Sequence, residues 1–326
     1  MGKALAFFKR WMLPLAMTAG VGIYLILHFV PGLHDGGYLR FSGWMQPLCI
    51  GMMLFLQLNL VAPGDLRFRK WHFVILGLQA AVSIAAAALA IVIPHQGTKI
   101  LMECIMLCFV CPTASAAGVI TSKLGGNLPG VLTYTVLANT LASVLIPVMV
   151  PLVHPSSELG FLPLFFVVVK RVFSLLLLPC LAAWFIRFLI PKLQKWLEQF
   201  AGWAFYIWGF SLMLSISLAT DSLVRSGIGL LLAVAIGTVS LACCIAQFWT
   251  GRKAAKKYGH GESVTAGQAM GQKNTGFIIW LGVNYLTPVT SIAGGLYAVW
   301  HNLVNSWELQ RNEDRLRAAG EKQNSR

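Results

Sequence analysis

Charge is scarce in this chain, and negative charge is scarcest. Only 11% of its 326 residues are charged, and Asp and Glu number 11 against 25 Lys and Arg. Soluble domains carry about 25% charged residues, so a chain that is 57% hydrophobic leaves that class and reads as an integral membrane protein. Enzyme signatures are missing as well. There is no His-Glu-x-x-His, no Gly-x-Ser-x-Gly and no phosphate-binding Gly-x-x-x-x-Gly-Lys-Ser/Thr, so a non-enzyme without cofactor or resident metal is expected. Nor do the seven cysteines look like a disulfide framework, because all fall within or beside apolar runs, where they serve as small packing residues. Cys104, Cys108 and Cys111 share a helix face, but packing is the favoured reading for them too. No cleavable signal peptide is expected, since the first apolar run, about 11–30, is longer than a typical signal core.

What the chain has is apolar length. Ten candidate spans run at about 11–30, 41–62, 72–94, 99–122, 129–154, 162–187, 201–220, 226–249, 262–282 and 284–305, each near the ~20 residues that cross a bilayer. Pro147, Pro151 and Pro179 are expected to tilt or kink the two longest. The formal net charge of +14 does not point to nucleic acid, because most basic residues sit in short loops beside these spans. Alternate connections hold Arg67, Arg69 and Lys70, then Arg187, Lys192 and Lys195, then Arg252, Lys253, Lys256 and Lys257, while the opposite set holds only Arg40, Lys99 and Arg225. By the positive-inside rule both termini are expected in the cytoplasm, in a cell inner (plasma) membrane, with the bilayer as the protein's main partner. Trp44, Trp71, Trp184, Trp203, Trp280, Trp300 and Trp307 sit mostly near span ends and read as interface anchors.

Two spans are interrupted. Gly271-Gln272-Lys273-Asn274-Thr275-Gly276 lies inside span nine, and Cys111-Pro112-Thr113-Ala114-Ser115-Ala116-Ala117-Gly118 inside span four. A lysine in hydrocarbon costs roughly 2.5–3.5 kcal/mol on insertion scales, so a helix that keeps one is expected to be broken there and to face protein or water. Pro112 removes a helical hydrogen bond and leaves carbonyls near Val110–Thr113 short of partners. A proline kink capped by its own hydroxyls explains span four alone, but the twin break favours a transport site. Five spans before residue 160 and five after it require inverted halves. The domains are therefore read as a first five-helix repeat over 1–160, an inverted second repeat over 161–306, and a cytoplasmic tail over 307–326.

Other polar residues in the spans are less decisive. Thr135, Asn139 and Ser143 project from one side of span five, and Gln79 stands alone in span three; interhelical hydrogen bonding explains them equally well. Lys170 and Arg171 in span six read as side chains that reach for headgroups. Glu262 and Glu103, near the ends of spans nine and four, are either relay acids or helix-end charges.

With these breaks in view, the chain resembles the bile acid:sodium symporter family, whose superfamily also includes arsenite efflux carriers. The likeness runs from Trp11-Met12-Leu13-Pro14 to span ten. Members carry Cys-Pro-Gly-Gly, small residues and then Ser-Asn in span four, and Gly-Met-Gln-Asn-Ser-Gly after a Glu in span nine. The resemblance implies an all-α membrane fold of ten helices, with the fourth and ninth broken and crossing. It also implies a core of spans three to five and eight to ten, packed against a panel of spans one, two, six and seven. Family substrates are amphipathic organic anions or small carboxylates.

The departures fall on the ion site. Ala117-Gly118 stands where members have Ser-Asn, Ala269 where they have the Glu, and Lys273 where they have the Gln. A one-residue adjustment lets Gln272 stand for that Gln, but nothing restores the Glu. Gln79 and Thr135 do match a family glutamine and threonine. A carboxylate with sodium is roughly neutral as a unit, and losing the carboxylate would leave a bound cation without its counter-charge in hydrocarbon. A tethered ammonium replaces the ion instead. The expectation is a sodium-independent secondary transporter of a small organic anion, with a proton as the candidate coupling ion. Its expected binding residues are Lys273, Asn274, Gln272, Gln79, Thr113, Ser115, Thr135 and Asn139. A sodium-coupled symporter and a transport-inactive receptor or scaffold are the alternatives.

Overall fold

The computed structural model describes residues 2–30, 37–114, 116–155 and 160–324. Among them it has α-helices and two short 3-10 turns, and one isolated β-bridge in place of strands. The helices are α1 (Gly2–Phe29), α2 (Gly37–Leu58), α3 (Lys70–Val92), α4 (Gln96–Val110), α5 (Ala117–Lys123), α6 (Leu128–Val153) and α7 (Phe161–Leu176). They continue with α8 (Leu178–Leu189), α9 (Pro191–Glu198), α10 (Trp203–Arg225), α11 (Leu230–Ala255), α12 (His260–Gly271), α13 (Thr275–Tyr285) and α14 (Pro288–Asn324). Five of them, α2, α3, α6, α10 and α11, are long and apolar enough to cross a membrane among the described residues, and α7 with α8 makes a sixth, bent by 44°. The remaining expected spans fall on α1, on the pairs α4–α5 and α12–α13, whose pieces are too short alone, and on the long, more polar α14.

Helix α3 shows why these segments are membrane helices. Its buried stripe is Trp71, Ile75, Gln79, Ser83, Ala86, Ala87 and Ala90, whereas Phe73, Val74, Ile84, Leu89, Ile91 and Val92 are exposed. The stripe falls at helical spacing, and from Gln79 onward it is the small and polar residues that face inward. In water that face would be the apolar one. In lipid, tails solvate the large side chains while small residues let backbones approach. Pro94 ends the helix by forcing Ile93 into an extended conformation, φ −83° and ψ 118°, as a residue before proline must be.

The helices pack in two groups. Helices α3, α4, α6, α11, α12 and α14 contact one another, and α1, α2, α7, α8 and α10 form the second set, joined to the first where α6 meets α7, α10 meets α13 and α14, and α13 meets α2. The expected bend near Pro179 is observed at Leu177, while α6 continues past Pro147 and Pro151 without a break. Helix α14 likewise runs through residue 307 unbroken. Trp71 is no interface anchor: it is fully buried and donates its indole N–H to Glu262, 2.8 Å away. All seven cysteines are buried and unpaired.

Candidate functional site

The site forms where two helices stop. Helix α4 ends at Val110 because Pro112 holds Cys111 extended, at φ −64° and ψ 140°. Helix α12 ends at Gly271, and Gln272 takes φ −83° and ψ 112°. The extended pieces meet antiparallel: Asn274 N donates to Pro112 O and Ala114 N to Gln272 O, both at 2.9 Å, which sets Thr113 opposite Lys273. Two broken helices thus satisfy part of each other's backbone, which hydrocarbon could not do.

The last carbonyls of a helix have no partner within it, and here three side chains from other elements take those of α4. Gln247 of α11 donates to Cys108 O at 3.2 Å, Lys273 to Phe109 O at 3.2 Å, and Gln79 of α3 to Val110 O at 3.3 Å. Lys273 Nζ also donates to Gln79 Oε1 at 3.1 Å, an oxygen that accepts from the Tyr134 hydroxyl at 2.7 Å as well. The ammonium is fully buried. Its hydrogen-bond partners are neutral, and no carboxylate among the described residues pairs with it. Helix α12 is capped the same way, by the Thr113 hydroxyl on Ala269 O at 2.7 Å and the Tyr297 hydroxyl on Gly271 O at 2.8 Å.

Of the residues singled out in the sequence, Lys273, Thr113 and Gln79 meet at the crossing. Asn274 lies beside them and caps α13, its side-chain oxygen accepting from Phe277 N at 3.2 Å. Gln272 contacts Gln268, which in turn donates to Glu308 at 2.7 Å. Thr135 is buried but returns its hydroxyl to Val131 O, one turn back, at 2.9 Å. Asn139 is turned toward Cys180, 3.9 Å away. Neither bonds to the crossing, and Ser115 lies outside the described residues. Three partners escaped the sequence reading: Gln247, Tyr134 and Tyr297. Gln247 carried the same signal as Gln79, a single amide in an apolar span, and the two tyrosines each place one hydroxyl in a helix interior.

A small cleft adjoins the crossing, bounded by Ala114, Lys273, Asn274 and Gly276, by Met53 of α2, by Trp208, Ser211 and Ser215 of α10, and by His301 of α14. Gln46 donates to Gly276 O at 3.1 Å and contacts Ser215. The amide nitrogen of Asn274 and the amide oxygen of Gln46 are buried without a hydrogen-bond partner among the described residues, so a donor beside Lys273 is left free for a ligand.

Glu262 and Glu103 sit at opposite ends. Glu262 binds Arg69 at 2.5 Å, Trp71 at 2.8 Å and Asn127 at 3.0 Å, tying α12 to α3 and α6. Glu103 is buried, 3.2 Å from His154 and 3.5 Å from the Thr287 hydroxyl. Comparison with known families matches residues 48–282 to the SBF-like CPA transporter family, a stretch that contains α3 to α12 and both helix breaks. No curated protein matches the chain.

Proposed function

The chain belongs to the SBF-like CPA transporter family, and from that premise we propose that it carries a small organic anion across the bilayer by alternating access, without sodium and with Lys273 as its fixed cation. The family lies in the superfamily of bile acid:sodium symporters and arsenite carriers, so the protein is a multi-pass membrane transporter. The observation that carries the reading is the ammonium of Lys273, buried at the crossing with only neutral partners. Its counter-charge is the carbonyl end of α4, equivalent to about half an elementary charge. A positive remainder is left, and an anion entering the adjacent cleft would neutralise it while accepting from Asn274. Substrate and fixed cation would then make the near-neutral unit that ion and carboxylate make in sodium-coupled relatives. A proton carried by Lys273 is the variant of this scheme in which transport is driven.

The architecture that goes with this function has ten spans in two inverted repeats, 1–160 and 161–306, with both termini in the cytoplasm. In it the set containing α3, α4, α6, α11, α12 and α14 is the core, and the set containing α1, α2, α7, α8 and α10 is the panel that rocks against it. Reporter fusions at Gln96 and at the C-terminus are expected to lie on opposite sides of the membrane; the same side for both overturns the topology.

Function is tested with purified protein in liposomes under separate sodium and proton gradients. Uptake of organic anions is expected to be unchanged when sodium is replaced by choline. Accumulation driven by sodium would return the chain to the sodium-coupled symporters. Binding of organic anions with no flux under any gradient would make it a receptor or scaffold, since a fold does not fix a function.

A further inference from the structure

A cavity of about 820 Å³ lies away from Lys273, between α2, α7, α8 and the end of α13. Arg40 of α2 and Arg171 of α7 both line it, and neither has a carboxylate or hydrogen-bond partner among the described residues. Reading Arg171, with Lys170, as a headgroup-seeker accounts for its length but not for its sharing one cavity with Arg40.

Their relative height follows from the packing. A Cβ on Gly51 of α2 would stand 3.6 Å from Pro179 of α8, Leu58 packs with Cys180 and Ala183, and Trp184 donates to Val61 O. Residue numbers rise together, so α2 and α7–α8 run parallel. Arg40 lies about three helical turns before Gly51, and Arg171 a little over two turns before Pro179. Both guanidinium groups therefore sit at one end of the cavity, within about a turn of each other. From there the lining runs along α2 to Phe55, roughly 22 Å at 1.5 Å per residue, which exceeds the roughly 15 Å of one hydrocarbon leaflet.

The cavity also opens sideways. Trp44, Leu48 and Met52 of α2, at i, i+4 and i+8, are 79%, 53% and 43% exposed, and Leu178 of α8 is 52% exposed. Apolar side chains this open on a membrane helix border hydrocarbon, so the mouth faces the lipid rather than the aqueous phase.

We propose that this groove seats an anionic phospholipid, with its phosphate between Arg40 and Arg171 and an acyl chain laid along Leu48, Met52 and Leu178. Arginine suits the phosphate because its fork donates two parallel hydrogen bonds. A neutral-headgroup lipid of the same chain would gain the apolar contacts but carry no net charge to the arginines.

The test uses the full chain, purified and stripped of lipid, then given phosphatidylglycerol or phosphatidylcholine with matched acyl chains. Lipid retained per protein is read by native mass spectrometry. Two basic residues give an expected preference for phosphatidylglycerol on the order of thirtyfold. The double variant Arg40→Gln/Arg171→Gln is expected to bring that ratio close to one, whereas Lys123→Gln, at the end of α5 and outside the groove, leaves it unchanged. Gly43 lines the groove with nothing within 4 Å of an added Cβ, so Gly43→Trp is expected to fill the space and expel the lipid. Should that variant not fold, the arginine pair decides alone. Equal retention of the two lipids by the wild type, or a preference that survives loss of both arginines, overturns the proposal. So does displacement of phosphatidylglycerol by equimolar dodecyl phosphate, which would make the groove a site for soluble amphiphilic anions.

Discussion

Lys273→Gln is expected to cut transport by roughly a hundredfold and to leave the protein folded in normal yield. The rate loss corresponds to one charge-assisted hydrogen bond of about 3 kcal/mol made to the translocated anion. Stability should hold because two effects oppose. The substitution removes a buried charge whose effective desolvation cost is several kcal/mol. It also leaves Phe109 O without its present donor, at about 1–3 kcal/mol, while Gln79 Oε1 keeps the Tyr134 hydroxyl. Liposome uptake and thermal unfolding, measured on the same preparation, check both halves. A fixed charge predicts a wild-type rate that is flat across the neutral pH range. A proton carrier predicts a titration that disappears in the variant while passive exchange survives. Transport at wild-type rates by both Lys273→Gln and Lys273→Ala would remove the lysine from the mechanism.

Gly251→Ala is expected to lower stability by about 3 kcal/mol or to prevent folded protein from accumulating. An added Cβ would lie 2.3 Å from Ala266 O, 2.9 Å from its carbonyl carbon and 3.0 Å from Gly267 Cα. These are backbone atoms, so no rotamer change relieves the clash and α11 must separate from α12. The comparison is Gly77→Ala, in a helix and with nothing within 4 Å of the added Cβ, which should be neutral or stabilising by about 0.5–1 kcal/mol. The midpoint of thermal unfolding, followed by size-exclusion fluorescence, separates the two. If Gly251→Ala melts like the wild type, the helices do not depend on that approach.

The helix breaks were legible in the sequence because their causes are local. Pro112 lacks an N–H and constrains Cys111, and a lysine flanked by glycines in an apolar run cannot sit in lipid. Which residues cap the breaks was not legible. The donors to α4 come from positions 79, 247 and 273, and no period or spacing in the chain links them. Thr135 and Asn139 show the converse limit: helical periodicity places them on one face, but packing decides what that face meets. Span counting met a related limit. At the end of the chain, α14 carries far more polar residues than a simple span. The lipid groove was hidden for the same reason, since Arg40 and Arg171 are neighbours only after α2 and α7 have packed.

The triple cap on α4 has a mechanical consequence. Its donors belong to α3, to α11 and to the segment joining α12 and α13, so the end of α4 behaves like a rivet through four elements. Sliding any one of them by an ångström or two would strip a donor from a carbonyl in a medium that offers no replacement. Shear within this bundle is therefore stiff, and the compliant seam lies where the two sets touch, at α6 with α7 and where α2 and α10 meet α13 and α14. The polar contact described across it, Gln46 to Gly276 O, is close to the cleft itself, so whatever opens the seam must first let go beside the cleft.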